Sequence, residues 1–168
     1  MLAIPPTPRR FVVQLHDATR LHYDLRIQEG DLLRSWAVPK GPSLDPAVKR
    51  LAVAVEDHTM DAGEFEGVHA EVPRGTGAVI IWDEGLVEVR KNEPHHLSLV
   101  FHGHKVAGRF GLTNTGGRQW ILVKAIDDAA CPGSDVTFEQ PASVRSGRTW
   151  QEVARAAGRP PPTPPANG

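Results

Sequence analysis

Cysteine is almost missing from this chain of 168 residues. Cys131 stands alone, so no intramolecular disulfide can form, which fits a reducing compartment. Long apolar runs are missing too. None approaches the roughly 20 residues a membrane-spanning helix needs. The opening MLAIPPTPRR has no apolar h-region, so neither a membrane anchor nor a signal peptide is expected. Neither sign of charge dominates: 19 Lys and Arg face 20 Asp and Glu, for a net charge of −1. A protein that coats nucleic acid would be more basic. The total hides a pattern, however. Residues 1–50 carry eight basic and five acidic residues, 51–100 three and ten, and 101–168 eight and five. A local basic site beside acidic ligands is compatible with that distribution.

Glycine (16) and proline (15), by contrast, are frequent, and they punctuate short apolar segments. RFVVQLH, LHYDLRI, LLRSWAV, RLAVAVEDH, GAVIIWD, LVEVRK, LSLVFHG and QWILVKAI each read as strands, spaced mostly about ten residues apart. The expected fold is mainly β: a small closed or nearly closed barrel of about eight strands, with one or two short helices. Gly30-Asp31 and Asp83-Glu84-Gly85 are read as hairpin turns. Helical signal is thin. DPAVKR is read as one helical turn and GRTWQEVARAAG as a short terminal helix. The Pro-rich ending GRPPPTPPANG reads as a disordered or polyproline II tail. No internal repeat is visible. The expected divisions are an N-terminal extension (1–8), a β-barrel domain (9–128), a segment with a short helix (129–156) and the tail (157–168).

One stretch, QLHDATRLHYDLR, concentrates chemistry. Strand side chains alternate faces with period two. That puts His22, Asp24 and Arg26 on one face of LHYDLRI, and Gln14 with His16 on one face of FVVQLH. Paired as a hairpin, the two strands would unite His16, His22 and Asp24. Two imidazoles and a carboxylate suit Mn, Fe, Co, Ni or Zn, and three protein ligands leave positions open for water or substrate. Arg26 cannot be a ligand, but its donor fork suits a phosphate. A Lewis acid beside a fixed cation is what phosphoryl chemistry uses. In RLAVAVEDH, alternation places Arg50, Ala52, Ala54, Glu56 and His58 on one face. His58 there would contact a phosphate oxygen or protonate a leaving group, and Glu56 is equally well read as an orienting hydrogen-bond partner. Lys40, in WAVPKGPS, is a cation presented on a stiff turn. Paired histidines such as His102 and His104, or His95 and His96, read as ordinary solvated side chains.

FVVQLHDATRLHYDLRI, SWAVPKGPS, KRLAVAVEDH, FEG and VIIWDEG together resemble the 3′-phosphoesterase domain of bacterial DNA ligase D, from about Arg10 to about Ala125. The spacing HxxxxxHxDxR followed by WAVPKGP and EDH carries the resemblance. It implies a small β-barrel with a polar surface site. The implied activity is metal-dependent trimming of DNA 3′ ends: removal of a terminal ribonucleoside, then of the 3′-phosphate, leaving a 3′-OH for non-homologous end joining. Carried over by motif, His16, His22 and Asp24 would bind the metal, typically Mn²⁺, with Co²⁺ or Zn²⁺ as substitutes. Arg26 and His58 would contact the scissile phosphate, with Gln14, Lys40, Arg50 and Glu56 in support.

Three departures accompany the resemblance. An acidic and basic segment upstream of the first strand is expected to be lacking. Ala62 stands where the family carries tyrosine. HAEVPRGTG replaces IPxGxYGAG, so that Arg74 is a candidate substitute phosphate contact. The expected partners are DNA 3′ ends at primer–template junctions, and a separate ligase, polymerase or Ku-type end-binding protein. A cytoplasmic, nucleoid-associated monomer with no membrane is expected. Two other readings use the same residues: a metal-containing end-binding module with weakened catalysis, and a cupin-like metal oxygenase.

Overall fold

The computed structural model describes residues 7–70 and 74–162. Nine strands form one antiparallel sheet: β1 (Arg9–Asp17), β2 (Leu21–Glu29), β3 (Leu32–Val38), β4 (Lys49–Thr59), β5 (Gly67–Val68), β6 (Ala78–Glu93), β7 (His96–Gly103), β8 (Ala107–Gly116) and β9 (Gln119–Lys124). The order is β1-β2-β3-β4-β9-β8-β7-β6-β5, and β1 also pairs with β6. That last pairing closes an eight-stranded barrel, as expected, and leaves β5 as a short outer addition to β6. Two short helices, α1 (Val136–Glu139) and α2 (Trp150–Ala156), follow the barrel.

Alternation fills the interior. Phe11, Val13 and Leu15 of β1, Leu25 and Ile27 of β2, and Trp36 and Val38 of β3 are all buried in one core. Val136, Val153 and Ala154 join that core, so the segment after the barrel is part of its packing. Thr149 and Glu152 form a capping box that starts α2. The Gly30-Asp31 hairpin forms as read, with Gly30 at φ +64° in the first turn position and Glu29 paired with Leu32.

Asp83-Glu84-Gly85 is not a turn. It lies inside β6, which joins the two segments GAVIIWD and LVEVRK into one strand of 16 residues. Asp83 is fully buried and accepts hydrogen bonds from the backbone N–H groups of His104 (2.9 Å), Lys105 (3.1 Å) and Val106 (2.7 Å). A turn-like acid therefore serves the β7–β8 connection instead. Gly85 marks a close approach: a Cβ there would sit 2.3 Å from the His102 carbonyl oxygen. The eighth barrel strand is β8, whose sequence AGRFGLTNTG breaks up its apolar positions and hides the alternation. DPAVKR forms a turn, with Val48 N–H on the Asp45 carbonyl and Ala47 N–H on the Asp45 side chain, because Asp45 competes for those donors. α1 had no helical signal of useful length. The tail residues 163–168 and extension residues 1–6 lie outside the described residues.

Of the register shifts in the sheet, two alter the strand faces at β1 and β4. Opposite β1, Val13 pairs with Asp83 but Gln14 pairs with Ile81, so Trp82 is the extra residue. Opposite β3, Leu33 pairs with His58 but Ser35 pairs with Val55, so β4 gains a residue between them. Strict alternation in β4 therefore fails. Ala52 and Ala54 pack with the core, while Val55 and His58 line the same outer cavity.

Replacing Asp83 would strand three donors, each worth roughly 1–3 kcal/mol when left unsatisfied. Asp83→Ala is expected to lower the unfolding free energy in urea by about 3 kcal/mol or more. Asp83→Asn, which keeps a carbonyl acceptor, should lose less. Equal losses in the two variants would contradict this role.

Candidate active site

The site lies on the outer face of the barrel, across β1 to β4, under an arm formed by the 3₁₀ turn Met60–Glu64 and β5. Its cavity measures about 630 Å³ and is lined by the predicted Gln14, His16, His22, Asp24, Arg26 and His58. The β1–β2 register makes the cluster: Gln14 sits opposite Asp24, and His16 opposite His22. Donor atoms of His16, His22 and Asp24 all lie within 4.8 Å of one another.

These residues fit a divalent cation. His22 Nδ1 lies 2.9 Å from the Arg20 carbonyl oxygen, which can only accept, so Nδ1 carries a proton. Nε2 then faces the Asp24 Oδ1 at 3.2 Å, a contact that only a proton or a cation makes attractive. His16 Nε2 is buried and has no hydrogen-bond partner among the described residues. His16 Nδ1 is 3.9 Å from Asp24 Oδ2. Burial, followed by the neighbouring His22, pushes the His16 imidazole below its ordinary pKa. The hydrogen bond to Asp24 raises that of His22. Together the three side chains offer two imidazoles and one carboxylate within 4.8 Å of one another, a donor set of the kind that suits a divalent transition metal.

Arg26 is 8% exposed and held on three sides. Its Nε donates to Gln14 Oε1 (2.7 Å), Nη1 to Ser35 Oγ (3.0 Å) and Nη2 to Asp24 Oδ2 (3.4 Å). Burial lowers its pKa and Asp24 opposes that shift. Gln14, only 2% exposed, uses both ends of its amide. While its oxygen takes the Arg26 Nε proton, its nitrogen donates to the carbonyls of Ala62 (2.9 Å) and Phe65 (3.0 Å). It therefore ties the arm to the guanidinium. His58 Nδ1 bonds the Glu56 carbonyl at 2.8 Å, leaving Nε2 for the cavity.

The arm has its own seat. Val12, Leu33 and Ile81 form a second apolar cluster on the outer face, with Met60 and Val144 packed against it. Glu64 pairs with Arg10 (2.6 Å) and Arg145 (2.7 Å), and Arg145 also pairs with Glu84 (2.7 Å). Those arginines hold the Glu64 and Glu84 carboxyls below their usual pKa range, Arg145 most of all. Glu66 accepts from Ile81 N–H (2.8 Å) and Ser143 Oγ (2.6 Å).

Four of the predicted residues fall elsewhere. Lys40 and Arg50 line a separate groove of about 310 Å³ with Pro39, Lys49 and Leu51. Glu56 is exposed and contributes its backbone carbonyl to His58, not its carboxylate to the cavity. Arg74 is exposed and does not line the cavity. Ala62 does line it, at the place where the resemblance implies tyrosine. Val55, Phe65, His69 and Val79 line it as well. His69 was unreadable as a site residue because it follows a two-residue strand too short to show alternation.

A closed barrel carries a two-histidine, one-carboxylate cluster beside a buried arginine, a set of side chains that could hold a metal ion next to a fixed cation. The family model described as the DNA ligase D 3′-phosphoesterase domain matches residues 14–114, and the chain belongs to this family. It is 49% identical over 166 residues to the multifunctional non-homologous end joining protein LigD of Pseudomonas aeruginosa, covering 90% of this chain and 20% of that protein. It is 39% identical over 115 residues to the protein of the same name from Mycobacterium bovis, covering 66% of this chain and 15% of the relative. The Mycolicibacterium smegmatis protein is 38% identical over 132 residues, covering 70% and 17%. The chain thus spans a fifth or less of the length of these relatives.

Gln14→Leu keeps similar bulk but removes the tether. It is expected to cost about 2–4 kcal/mol, because Arg26 Nε loses its partner inside the protein. Amide hydrogen exchange should rise first across residues 60–66. If exchange there stayed at the wild-type level, the apolar seat alone would be holding the arm.

Proposed function

We propose that this protein is a metal-dependent phosphoesterase that heals DNA 3′ ends in double-strand break repair by non-homologous end joining. The observation that carries this reading is a single cavity uniting the His16–His22–Asp24 donor set with a buried, three-point-held Arg26 and an inward-facing His58. His16, His22 and Asp24 would hold the divalent cation, with Mn²⁺ the leading candidate and Co²⁺ or Zn²⁺ next. Such an ion supplies Lewis-acid polarisation of a phosphoryl oxygen.

The chain's own residues do the rest. Arg26 presents a fixed cation to the phosphate oxygens, and its bonds to Gln14, Ser35 and Asp24 settle its orientation before substrate arrives. His58, with Nδ1 committed to the Glu56 carbonyl, uses Nε2 to receive a proton from water or return one to the leaving oxygen. In the monoester step, water forms the new P–O bond and the bond to the sugar O3′ breaks. O3′ takes a proton, giving a 3′-OH and inorganic phosphate. In the diester step water likewise forms a new P–O bond while the P–O5′ bond breaks; O5′ takes a proton, so the terminal ribonucleoside leaves and a 3′-phosphate remains. Ala37, Val55, Ala62, Phe65 and Val79 wall the cavity with apolar surface, which strengthens these electrostatic contacts. Lys40, Lys49 and Arg50 line a second groove suited to backbone phosphates further along the strand. The natural partners are primer–template 3′ ends, with a ligase, a polymerase and a Ku-type end-binding protein acting on the same break. This agrees with the end-joining role that the relatives' names carry.

Ala62 favours one second reading. Its small side chain leaves the cavity wall without a polar group at that position, which suits a module that grips 3′-phosphates without turnover. A 5′-labelled primer–template ending in one ribonucleotide, and another ending in a 3′-phosphate, separate the two readings. Each is incubated with EDTA, Mn²⁺, Mg²⁺ or Zn²⁺. Metal-dependent shortening and phosphate release are expected, and His22→Ala should lower both by more than about a hundredfold, since even partners of a ligand cost 10–100-fold. Diester cleavage without phosphate release would assign the loss of the second step to position 62. Metal binding with no turnover on either end would favour the gripping module.

A further inference from the structure

We propose that His69 is a substrate-contacting residue, an imidazole that hydrogen-bonds the phosphate held at the metal centre from the side opposite Arg26 and His58. The proposal rests on the phosphoesterase reading for the identity of its anion. It stands on the placement of His69 for everything else.

His69 follows β5, whose residues Gly67 and Val68 pair with Val79 and Ala78 of β6. Its own N–H donates to the Gly77 carbonyl at 2.9 Å. The backbone that carries it is therefore pinned to the barrel. The imidazole lies flat on Phe65, with ring centroids 4.3 Å apart and planes 16° from parallel. It meets His16 edge-on at 5.7 Å, nearly as close as the 5.2 Å between His16 and His22. Phe65 is itself held in place, because its carbonyl accepts from Gln14. Stacking on a held ring sets the plane of the imidazole and so the direction of its two nitrogens.

Distance decides between ligand and substrate contact. The cluster whose donors lie within 4.8 Å contains His16, His22 and Asp24 but not His69. The ring of His69 lies 5.7 Å from that of His16, beside the cluster and outside its donor set. Strand order supports this. Reading across the cavity, β5 leads through β6 to His16 on β1, then to His22, Asp24 and Arg26 on β2, and through β3 to His58 on β4. Arg26 on β2 and His58 on β4 lie to one side of His16, and His69 lies to the other, where Phe65, Ala62, Val79 and the carboxylate-bearing Asp61 also line the cavity. Among the described residues its ring nitrogens make no hydrogen bond. A phosphate on the cluster would then be held from both sides, and charge-assisted hydrogen bonds of that kind are about twice as strong as neutral ones.

Wild type, His69→Ala and His69→Gln would be compared as the whole chain. Three readouts are needed: Mn²⁺ affinity by calorimetry, inorganic phosphate affinity of the Mn²⁺-loaded protein, and KM and kcat on a primer–template with a 3′-phosphate. His69→Ala is expected to bind Mn²⁺ within about twofold of wild type but to weaken phosphate binding, and raise KM, about tenfold. His69→Gln keeps a donor amide near the same position and should recover most of the loss. Unchanged phosphate affinity in His69→Ala would overturn the proposal. So would a parallel loss of Mn²⁺ affinity, which would make His69 a ligand or a structural support, and so would a loaded wild type that does not bind phosphate. A wild type that binds phosphate but turns over no DNA end would sink the phosphoesterase reading alone, and the phosphate affinities would still judge His69.

Discussion

The register between the first two strands is the constraint on which everything else rests. Gln14 faces Asp24 and His16 faces His22 only in the observed pairing. A one-residue slip would turn the whole polar set toward the core and expose Phe11, Val13 and Leu15. The apolar face of the hairpin thus specifies the chemistry of its polar face. β1 is bound on both sides, to β2 and to β6, so the strand that closes the barrel is also the strand that carries His16. Closure removes the free edges from the barrel strands and gives the cluster of His16, His22 and Asp24 a backbone that cannot shift independently.

Gln14 converts that rigid hairpin into a site with a roof. A buried amide must satisfy both of its ends, and here the oxygen is used by Arg26 and the nitrogen by two carbonyls of the arm. Position of the guanidinium and position of the arm are thereby coupled through one side chain. The buried Arg26 is tolerable because Asp24 and Ser35 complete its partners. Asp24 serves both the arginine and the histidines, which places the fixed cation and the donor set in one electrostatic unit.

Much of this could be read from alternation alone. His16, His22, Asp24 and Arg26 are legible because β1 and β2 are regular where they carry these residues. The reading failed where regularity failed. Lys40 and Arg50 were carried to the site by motif resemblance, which conveys no distance, and the fold puts them in a different groove. The face of β4 was misjudged because a bulge between Val55 and His58 adds one residue, and a period-two pattern cannot register an inserted residue. His58 reached the cavity all the same, alongside Val55 and without Glu56. Asp83 mimicked a turn residue because the same short carboxylate that caps turns can, when buried, collect the N–H groups of a turn elsewhere. His69 heads the HAEVPRGTG departure, but its place in the cavity could not be read there because it depends on a stacked ring and a β-pairing, neither of which is periodic.

The segment beyond the family match has a mechanical part in the same design. Residues 14–114 hold all the cavity-lining side chains, yet the arm that carries Ala62, Phe65 and His69 is braced from outside that range. Arg145 grips Glu64, Ser143 grips Glu66, Val144 packs into the seat beneath Met60, and its N–H bonds the Ile81 carbonyl. Exposed ion pairs alone are worth little, on the order of 0–1 kcal/mol each. Ser143 is buried and Val144 half-buried against the apolar seat, so they carry more of the load. Trp82 links the same segment to the barrel through its Nε1 donor on the Gln140 carbonyl, and Val153 and Ala154 reach the main core. The chemistry thus sits in the matched region, and the rigidity of its roof comes from the residues that follow.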